Sequence, residues 1–506
     1  MEKHKLAEYI KKLKQKGLLE KHNVEESILN IIVECVTYDS REVEKGTCFI
    51  CKGAHFKKEY LESAIEDGCF VYVSDKVYED IEIPYIKVND IRKTIAVLSE
   101  LYNNYPQKKI NMIGITGTKG KSTTTCYIKS ILDEYMEQID STDTAMISSI
   151  NTYDGKTNKE AVITTPEALE VYRHMRNAVD SNLKNLVMEV SSQALKTNRV
   201  YDIMYKFGVF LNISEDHVSD IEHKDFNDYL ESKLKIFSQT ETACINIDSD
   251  EIEKILEAAK NSKKIVTFGR NKNADVFAYE INKKGKNTTF KVKTQKWEKE
   301  FVLTMPGLFN VENALAAITV ATELGVPYEY IYKGLKKAKV SGRMEVYTNK
   351  DEEIVVIVDY AHNKLSFEKL YESTKKEYPQ RKIVTVFGCP GEHALNRRKD
   401  LGELSGKYSD MNYLTMEDPR GEETVNICKE ISVYIEKENG KYKIIEDRGQ
   451  AIKQAIFDTD RNSVILITGK GNETRQKVGN KYIKCLTDVQ YAKKYLKEYD
   501  KLKKLS

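Results

Sequence analysis

No stretch of this sequence stays apolar for the length a bilayer demands, so no membrane-spanning helix is expected. Neither sign of charge dominates. The 80 basic and 78 acidic residues leave a net charge of +2, which implies no polyanion-binding surface and no nucleic-acid partner. Internal repeats and low-complexity segments are missing too, which excludes a repeat array. Cysteine is sparse: nine residues, an odd number, scattered mostly within apolar segments. Cys48-Phe49-Ile50-Cys51 has C-x-x-C spacing but lies in a strand-like run with no second pair. Buried reduced thiols are expected there rather than a disulfide framework or a metal site. The N-terminal stretch MEKHKLAEYIKKLKQKGLL reads as a charged amphipathic helix without the apolar core of a signal peptide. Aromatic content of 9% and hydrophobic content of 41% are ordinary for a folded protein, and the cytoplasm is the expected compartment.

What is present is alternation. A chain of 506 residues exceeds what one core holds and suggests about three domains. Residues 1–106 contain strand candidates at 47–51, 69–73 and 85–88 and end at the polar junction Asn103-Asn104-Tyr105-Pro106-Gln107. From 107 to 340, strands at 110–115, 185–190, 207–212, 243–247 and 265–268 alternate with helical segments, which argues for a mainly parallel sheet with covering helices. Residues 275–303 alternate polar and apolar and read as antiparallel hairpins inserted near the end of that domain. From 341 to 506 a second alternation follows, with strands at 354–358, 382–387, 413–415 and 464–468. The expected class is α/β in three domains: a small N-terminal α/β domain, a central P-loop-type sheet and a C-terminal Rossmann-like domain.

The densest chemical signal is GITGTKGKSTTT, Gly114 to Thr125, between an apolar strand and a helix. Glycines let main-chain N–H groups approach an anion, the new helix offers its positive end, and Lys121 adds a point charge. Ser122 stands where a hydroxyl can reach a phosphate-bound Mg²⁺. The G-x-x-x-x-G-K-[ST] pattern fails by one residue, since its first glycine falls on Ile115, so Gly117-Thr118-Lys119-Gly120-Lys121-Ser122-Thr123 reads as a shortened phosphate loop for a nucleoside triphosphate.

Other strand ends carry polar clusters, and in open α/β sheets ligands sit there. Glu189 ends one strand and can join Ser122 around Mg²⁺, or stand as a solvated strand-end acid. Another strand ends Asn212-Ile213-Ser214-Glu215-Asp216-His217, where His217 is a functional candidate. Lys233 borders the apolar stripe of a helix; by periodicity alone it is an ordinary surface lysine. Asn310 suits a helix cap, whereas Asn313 has no evident structural duty. The last domain adds Asp359 to His362, Gly388 to Gly391, Asn396 to Arg398, Glu417 to Arg420 and Gly469 to Glu473. Loops so rich in arginine and carboxylates suit a small charged substrate, most simply an amino acid.

These motifs, in this order, resemble the Mur ligases, the ATP-dependent amide-forming enzymes of peptidoglycan synthesis. Gly117 to Ser122, Met188-Glu189-Val190-Ser191-Ser192, Asn212 to His217, Tyr229-x-x-x-Lys233, Asn246-x-Asp248, Asn310-x-x-Asn313, Gly342-Arg343-Met344-Glu345 and Val358 to His362 carry the resemblance across nearly the whole chain. The branch that adds the third residue of the peptide, the UDP-N-acetylmuramyl-tripeptide synthetases, is the most similar. Asp39-Ser40-Arg41-x-Val43-x-x-Gly46 is similar to its uridine-binding segment. Thr164, Thr165, Ser191, Thr197 and Arg199 are similar to its muramoyl-peptide contacts.

The resemblance implies that the first domain binds the UDP-muramoyl substrate and that Glu189 and His217 hold Mg²⁺. It further implies that Lys233 is a CO₂-derived carbamate and that Asn313, Arg343 and Asp359 serve the nucleotide. Arg398, Glu417, Asp418, Arg420, Gly469 and Glu473 would select a diamino acid, meso-diaminopimelate or L-lysine. The implied enzyme is a monomer acting in cell-wall biogenesis, and through it in cell shape and division. There are departures: Glu417-Asp418-Pro419-Arg420 where the family commonly has Asp-Asn-Pro-Arg, Gly388-Cys389-Pro390-Gly391-Glu392-His393-Ala394 for Gly-Cys-Gly-Gly-Asp-Arg-Asp, and Gly469-Lys470-Gly471-Asn472-Glu473 for Gly-Lys-Gly-His-Glu. Two alternatives remain: a ligase like folylpolyglutamate synthetase, which lacks the uridine segment, and a non-catalytic binder of UDP-muramoyl peptide. Intact Lys121, Glu189, His217 and Lys233 argue against the second.

Overall fold

The computed structural model describes residues 2–53, 56–139, 141–214, 222–284, 287–305, 307 and 309–503. The chain forms two compact units. One comprises Met1–Asn282, Thr289–Val302 and Val311–Lys337; the other comprises Lys283–Thr288, Leu303–Asn310 and Ala338–Ser506. Among the described residues no helix is long and apolar enough to cross a membrane.

In the first unit a five-stranded sheet has the order Leu19–His22, Tyr85–Val88, Cys69–Ser74, Thr47–Ile50, Cys35–Thr37, parallel except for its first pair. The N-terminal helix spans Leu6–Gln15 and buries Leu6, Tyr9, Ile10 and Leu13 on one face, the amphipathic pattern its sequence shows. Asp90 starts the helix Ile91–Tyr102 by accepting the N–H groups of Arg92 and Lys93, each at 3.0 Å. One apolar cluster then runs from Leu6 through Leu101 and Ile110 to Ala259, so the first 106 residues pack directly on those that follow. Cys48 and Cys51 are buried free thiols, and desolvation keeps both protonated.

The larger sheet has eleven strands. Its parallel centre runs Lys264–Gly269, Thr240–Asn246, Tyr205–Phe210, Asn111–Thr116, Asn185–Glu189, Ala145–Ile147. Buried on both faces, these strands read as continuous apolar runs. Two short strands, Asn151–Tyr153 and Asn158–Glu160, continue one edge antiparallel and carry no sequence signal strong enough to expect them. The segment 275–303 differs from the expected insertion. It supplies three further strands of the same sheet, and the first, Val276–Lys284, pairs in parallel with Lys264–Gly269. Asp275 makes that possible: its carboxylate accepts the N–H and hydroxyl of Thr267 at 2.8 and 2.7 Å, clamping the turn back into register.

The second unit has a six-stranded sheet in the order Glu345–Thr348, Ile354–Asp359, Ser463–Thr468, Lys382–Phe387, Met411–Leu414, Tyr442–Ile444, parallel except for its first pair. Strand alternation divides its core in two. Val355, Ile357, Val464 and Leu466 face one cluster, while Ile354, Val356, Val358, Ile465 and Ile467 face the other. A buried pair braces the second layer: Arg448 donates twice to Asp488, both at 2.7 Å, and once to the Thr468 carbonyl at 2.6 Å. Asp488 also accepts the Gly471 N–H at 2.9 Å. Removing one partner strands the other charge in the interior, so Asp488→Ala should lower unfolding free energy by about 3–5 kcal/mol, read from urea midpoints at unchanged slope.

Candidate functional site

The strand Asn111–Thr116 lies between Asn185–Glu189 and Tyr205–Phe210, parallel to both, with Glu189 opposite Ile115 and Phe210 opposite Thr116. Three chain ends therefore emerge side by side, where an open sheet admits a ligand. Gly117 and Gly120 turn the chain with φ of +150° and +86° before the helix Lys121–Gln138 begins. Gly120 cannot carry a side chain, because a Cβ there would run into the Asn313 amide. This gives Asn313 a place beside the loop, which sequence alone did not supply.

Asn212 pins the loop. Its carbonyl accepts the Thr118 N–H at 3.0 Å, and its side chain exchanges two bonds with Lys119, at 2.9 and 3.1 Å. The Thr118 hydroxyl accepts from Tyr229 and from the Ser214 N–H, both at 3.1 Å. Lys121 folds over the loop, donating to the carbonyls of Gly117 and Thr118 at 2.9 and 3.1 Å. Ser122 and Thr123 are buried in the first helical turn.

A chain of oxygens leads away from Ser122. Its hydroxyl lies 2.9 Å from that of Ser149, which donates to Glu189 Oε1 at 3.1 Å; the Ser149 N–H donates to the same oxygen at 2.8 Å. Ser149 escapes sequence reasoning because it follows a three-residue strand, Ala145–Ile147. Hard oxygens this close suit a small cation that keeps most of its coordination for phosphate and water. Lys233 is 1% exposed, not the surface lysine its helix suggests. Tertiary burial overrides the periodicity: the amine donates to the Gly117 carbonyl at 2.9 Å and lies 4.6 Å from the Tyr229 ring centroid. His217 lies outside the described residues.

The remaining candidates of this unit form a second group. Thr165 donates to the Glu189 carbonyl at 2.9 Å and accepts the Ser191 N–H at 3.1 Å, next to half-buried Thr164. Ser191 caps the short helix Ser192–Lys196, and Thr197 closes it by donating to the Gln193 carbonyl at 2.7 Å. Arg199 donates to the Thr165 carbonyl at 3.2 Å and pairs with Glu167 at 3.0 Å. Lys52 pairs with the same acid at 2.7 Å and stacks on Tyr38, 4.2 Å from its centroid. Sequence reasoning missed Glu167 and Lys52, which touch through the fold and not through a motif. Ser40 opens a single turn, Ser40–Glu42, capped by Asp39.

In the second unit the parallel strands again end together. Asp359 accepts the N–H groups of Met344 and Ala361, both at 2.8 Å, and Arg343 lies over the Tyr360 ring at 4.6 Å. Lys470 is buried between Asp418, at 3.0 Å, and Glu473, which also accepts the Tyr360 hydroxyl at 2.6 Å. Glu417 is 7% exposed beside Gly469, and burial pushes its carboxyl up to about 7, against the pull of Arg448 and Lys470. Asp418 and Arg420 adopt positive φ of +47° and +53°, held by Gln476 and Lys477. The Arg420 Nε is buried with no hydrogen-bond partner among the described residues. Arg398 does not stand beside it as a second receptor: it is 4% exposed and donates to Glu422, Glu430 and the Pro390 carbonyl.

Residues 115–321 match the Mur ligase middle domain, and residues 342–471 match the Mur ligase, glutamate ligase domain. The UDP-N-acetylmuramoyl-L-alanyl-D-glutamate–L-lysine ligase of Enterococcus faecalis is 38% identical over 454 residues, 88% of each chain. The chain belongs to the Mur ligase family. A second relative of this Mur ligase, the UDP-N-acetylmuramoyl-L-alanyl-D-glutamate–2,6-diaminopimelate ligase of Clostridioides difficile, is 37% identical over 459 residues, 89% of this chain and 92% of its own. Among solved structures, a UDP-N-acetylmuramoyl-L-alanyl-D-glutamate–2,6-diaminopimelate ligase matches with a TM-score of 0.66 at 22% identity, covering 98% of this chain and 99% of its own. The Mycobacterium tuberculosis folylpolyglutamate synthase reaches 0.59 at 16%, covering 74% and 92%. Both share the fold.

Proposed function

We propose that this Mur ligase joins the third amino acid to UDP-N-acetylmuramoyl-L-alanyl-D-glutamate in an ATP-dependent, ADP-forming reaction of peptidoglycan synthesis. One observation carries the reading: two relatives named for this same acceptor, with different amino acids, each align over nearly nine-tenths of the chain. A folylpolyglutamate synthase leaves about a quarter unmatched, as expected of a fold without the uridine segment.

Phosphoryl transfer needs positioning and charge neutralisation above all. Main-chain N–H groups at the start of the helix Lys121–Gln138 and the Lys121 ammonium are the groups to receive the nucleotide's phosphates, and Ser122, Ser149 and Glu189 are the oxygens to hold Mg²⁺. Bound there, Mg²⁺ supplies further neutralisation of the transferring phosphoryl. The substrate's D-glutamyl carboxylate takes the phosphoryl group, and an amine then displaces phosphate to form the amide. In this reading Thr164, Thr165, Ser191, Thr197 and Arg199 orient the muramoyl peptide, and Ser40 binds its uridine end. Asn313 would lie against adenine, with Arg343 and Asp359 as further nucleotide contacts.

For the third residue we take meso-diaminopimelate. With Arg398 committed to Glu422 and Glu430, Arg420 is the one of the two candidate arginines left to bind a distal carboxylate, a contact that rewards planar, paired donors. Asp418, Glu473 and Gly469 would frame its ammonium end. ADP release measured with UDP-muramoyl-dipeptide and a panel of amino acids tests both statements. Diaminopimelate should be used, and Arg420→Ala should lose it selectively. Turnover with lysine alone overturns the choice of amino acid, and silence with every amino acid overturns the ligase reading.

Lys121→Ala should fold normally and lose at least about 10²-fold in ADP release, because its contact strengthens as charge moves onto the transferring group. Near-normal turnover in the folded variant contradicts the phosphate-loop assignment.

Lys233 we read as a carbamate in the active enzyme. Its amine and that of Lys121 both reach the Gly117 carbonyl at 2.9 Å, an arrangement that sets two like charges together. Carbamylation replaces one of those positive charges with a negative one and presents two hard oxygens to Mg²⁺. It requires the uncharged amine, which burial favours. Intact-mass analysis in bicarbonate should show an added CO₂. Lys233→Ala should lose coupling, recover part of it with a short-chain carboxylic acid, and still bind UDP-muramoyl-dipeptide. An unmodified lysine in enzyme of full activity refutes the carbamate.

A further inference from the structure

One acid at the carboxyl end of the second unit's sheet stands outside the networks around it. Glu417 follows the strand Met411–Leu414 and is more than nine-tenths buried, yet no group among the described residues hydrogen-bonds its carboxylate. The cations nearest it are engaged elsewhere. Arg448, on the helix Arg448–Asp458, is spent on Asp488 and on the carbonyls of Thr468 and Met416. Lys470 is held between Asp418 and Glu473. Arg397 on the helix Asn396–Tyr408, Asp418, the Tyr360 hydroxyl and the Cys389 thiol complete the charged and titratable groups facing it. Gly388, at the end of the neighbouring strand, and Gly469, at the end of the strand beyond that one, are bare where a Cβ would strike the Glu417 side chain.

An ionised carboxylate accepts hydrogen bonds and donates none. Buried without a partner it is costly, unless a donor arrives with the ligand. The surrounding cations lower its cost without touching it, so its lone pairs stay available to an incoming ammonium. We propose that Glu417 is the general base of amide formation, accepting the proton that the incoming amino acid's ammonium must lose before it can attack. This rests on the ligase reading above. In the first step one N–H bond of the ammonium breaks and an O–H bond forms on Glu417, leaving a neutral amine. In the second, the nitrogen lone pair forms the C–N bond, the C–O bond to phosphate breaks with its electron pair on the leaving oxygen, and a second nitrogen proton passes to that oxygen, giving the amide and hydrogen phosphate.

A base poised near neutrality balances availability against strength. Only the ionised form can accept, so coupling should rise with pH through the range near 7 where Glu417 titrates, and fall below it.

The test uses the full-length enzyme with Mg²⁺, ATP and UDP-muramoyl-dipeptide, following acyl-phosphate formation by hydroxylamine trapping and coupling by amide product. Glu417→Gln should trap acyl phosphate at the wild-type rate, because hydroxylamine is uncharged at neutral pH and needs no base. Its coupling to the amino acid should fall roughly 10²–10⁴-fold in kcat, and recover as alkaline pH supplies free amine. Glu417→Asp should keep part of the activity and the acid limb. Wild-type coupling in Glu417→Gln, an unchanged pH profile, or an equal loss toward hydroxylamine overturns the assignment. A wild-type enzyme that traps no acyl phosphate overturns the ligase reading itself, and the base with it.

Discussion

Much of this molecule depends on the shared register of three parallel strands, Asn185–Glu189, Asn111–Thr116 and Tyr205–Phe210. Parallel strands covered on both faces can meet water only at their ends, so polar chemistry has one place to gather. Glu189, Gly117 and Asn212 arrive there at the same level because the hydrogen-bond ladders align Glu189 with Ile115 and Phe210 with Thr116. Each of the loop's bonds inherits that alignment. Asn212 reaches Thr118 and Lys119, Tyr229 reaches the Thr118 hydroxyl, and Ser149 reaches both Ser122 and Glu189. A slip of one residue by Asn185–Glu189 in its ladder with Asn111–Thr116 would turn Glu189 to the other face of the sheet and detach it from Ser149.

What the amino-acid order reveals follows from the range of the forces involved. Central strands and the phosphate loop were legible because local chemistry dictates them: apolar runs for buried strands, and glycines where φ must be positive before a helix. Their bounds moved by no more than a few residues. Ala145–Ile147, Asn151–Tyr153 and Asn158–Glu160 were not legible, since three-residue strands carry too few side chains to show a period. Residues 275–303 were readable as strands but not as members of the main sheet, because the clamp between Asp275 and Thr267 is a tertiary contact. Lys233 is the sharpest case: its helix marks it as marginal to the apolar stripe, and only the fold buries it against Gly117 and Tyr229. Arg398 shows the opposite failure. Its sequence neighbourhood suggests a substrate contact, while two glutamates of its own unit consume the guanidinium.

The two units present polar groups at their strand ends by different means. Around the loop at 117–122 these are largely main-chain groups and a helix terminus, whose positions depend on backbone geometry. In the second unit they are side chains: Lys470 pairs with Asp418 and Glu473, and Glu417 and Arg420 lie on the same loop as Asp418. The chain departs from the pattern common in the family at Glu417, Asp418, Pro390 and Asn472 and keeps Gly117 to Ser122.

The exchanges are not independent of one another. Lys470 is held by two acids in a poorly solvated pocket, and Glu473 also takes the Tyr360 hydroxyl, so an asparagine at 418 would leave Lys470 with one counter-charge and the crevice more positive. A more positive crevice would draw the Glu417 carboxyl down from its position near 7, since nearby cations favour the ionised form. The acid at 418 and the longer acid at 417 thus act together. One cancels the lysine, and the other, less strongly held by cations, keeps a proton affinity matched to neutral solution. The pairing of Lys470 with Asp418 and Glu473 and the proton affinity of Glu417 thus depend on one another, which ties the loop at 417–420 to the loop at 469–473.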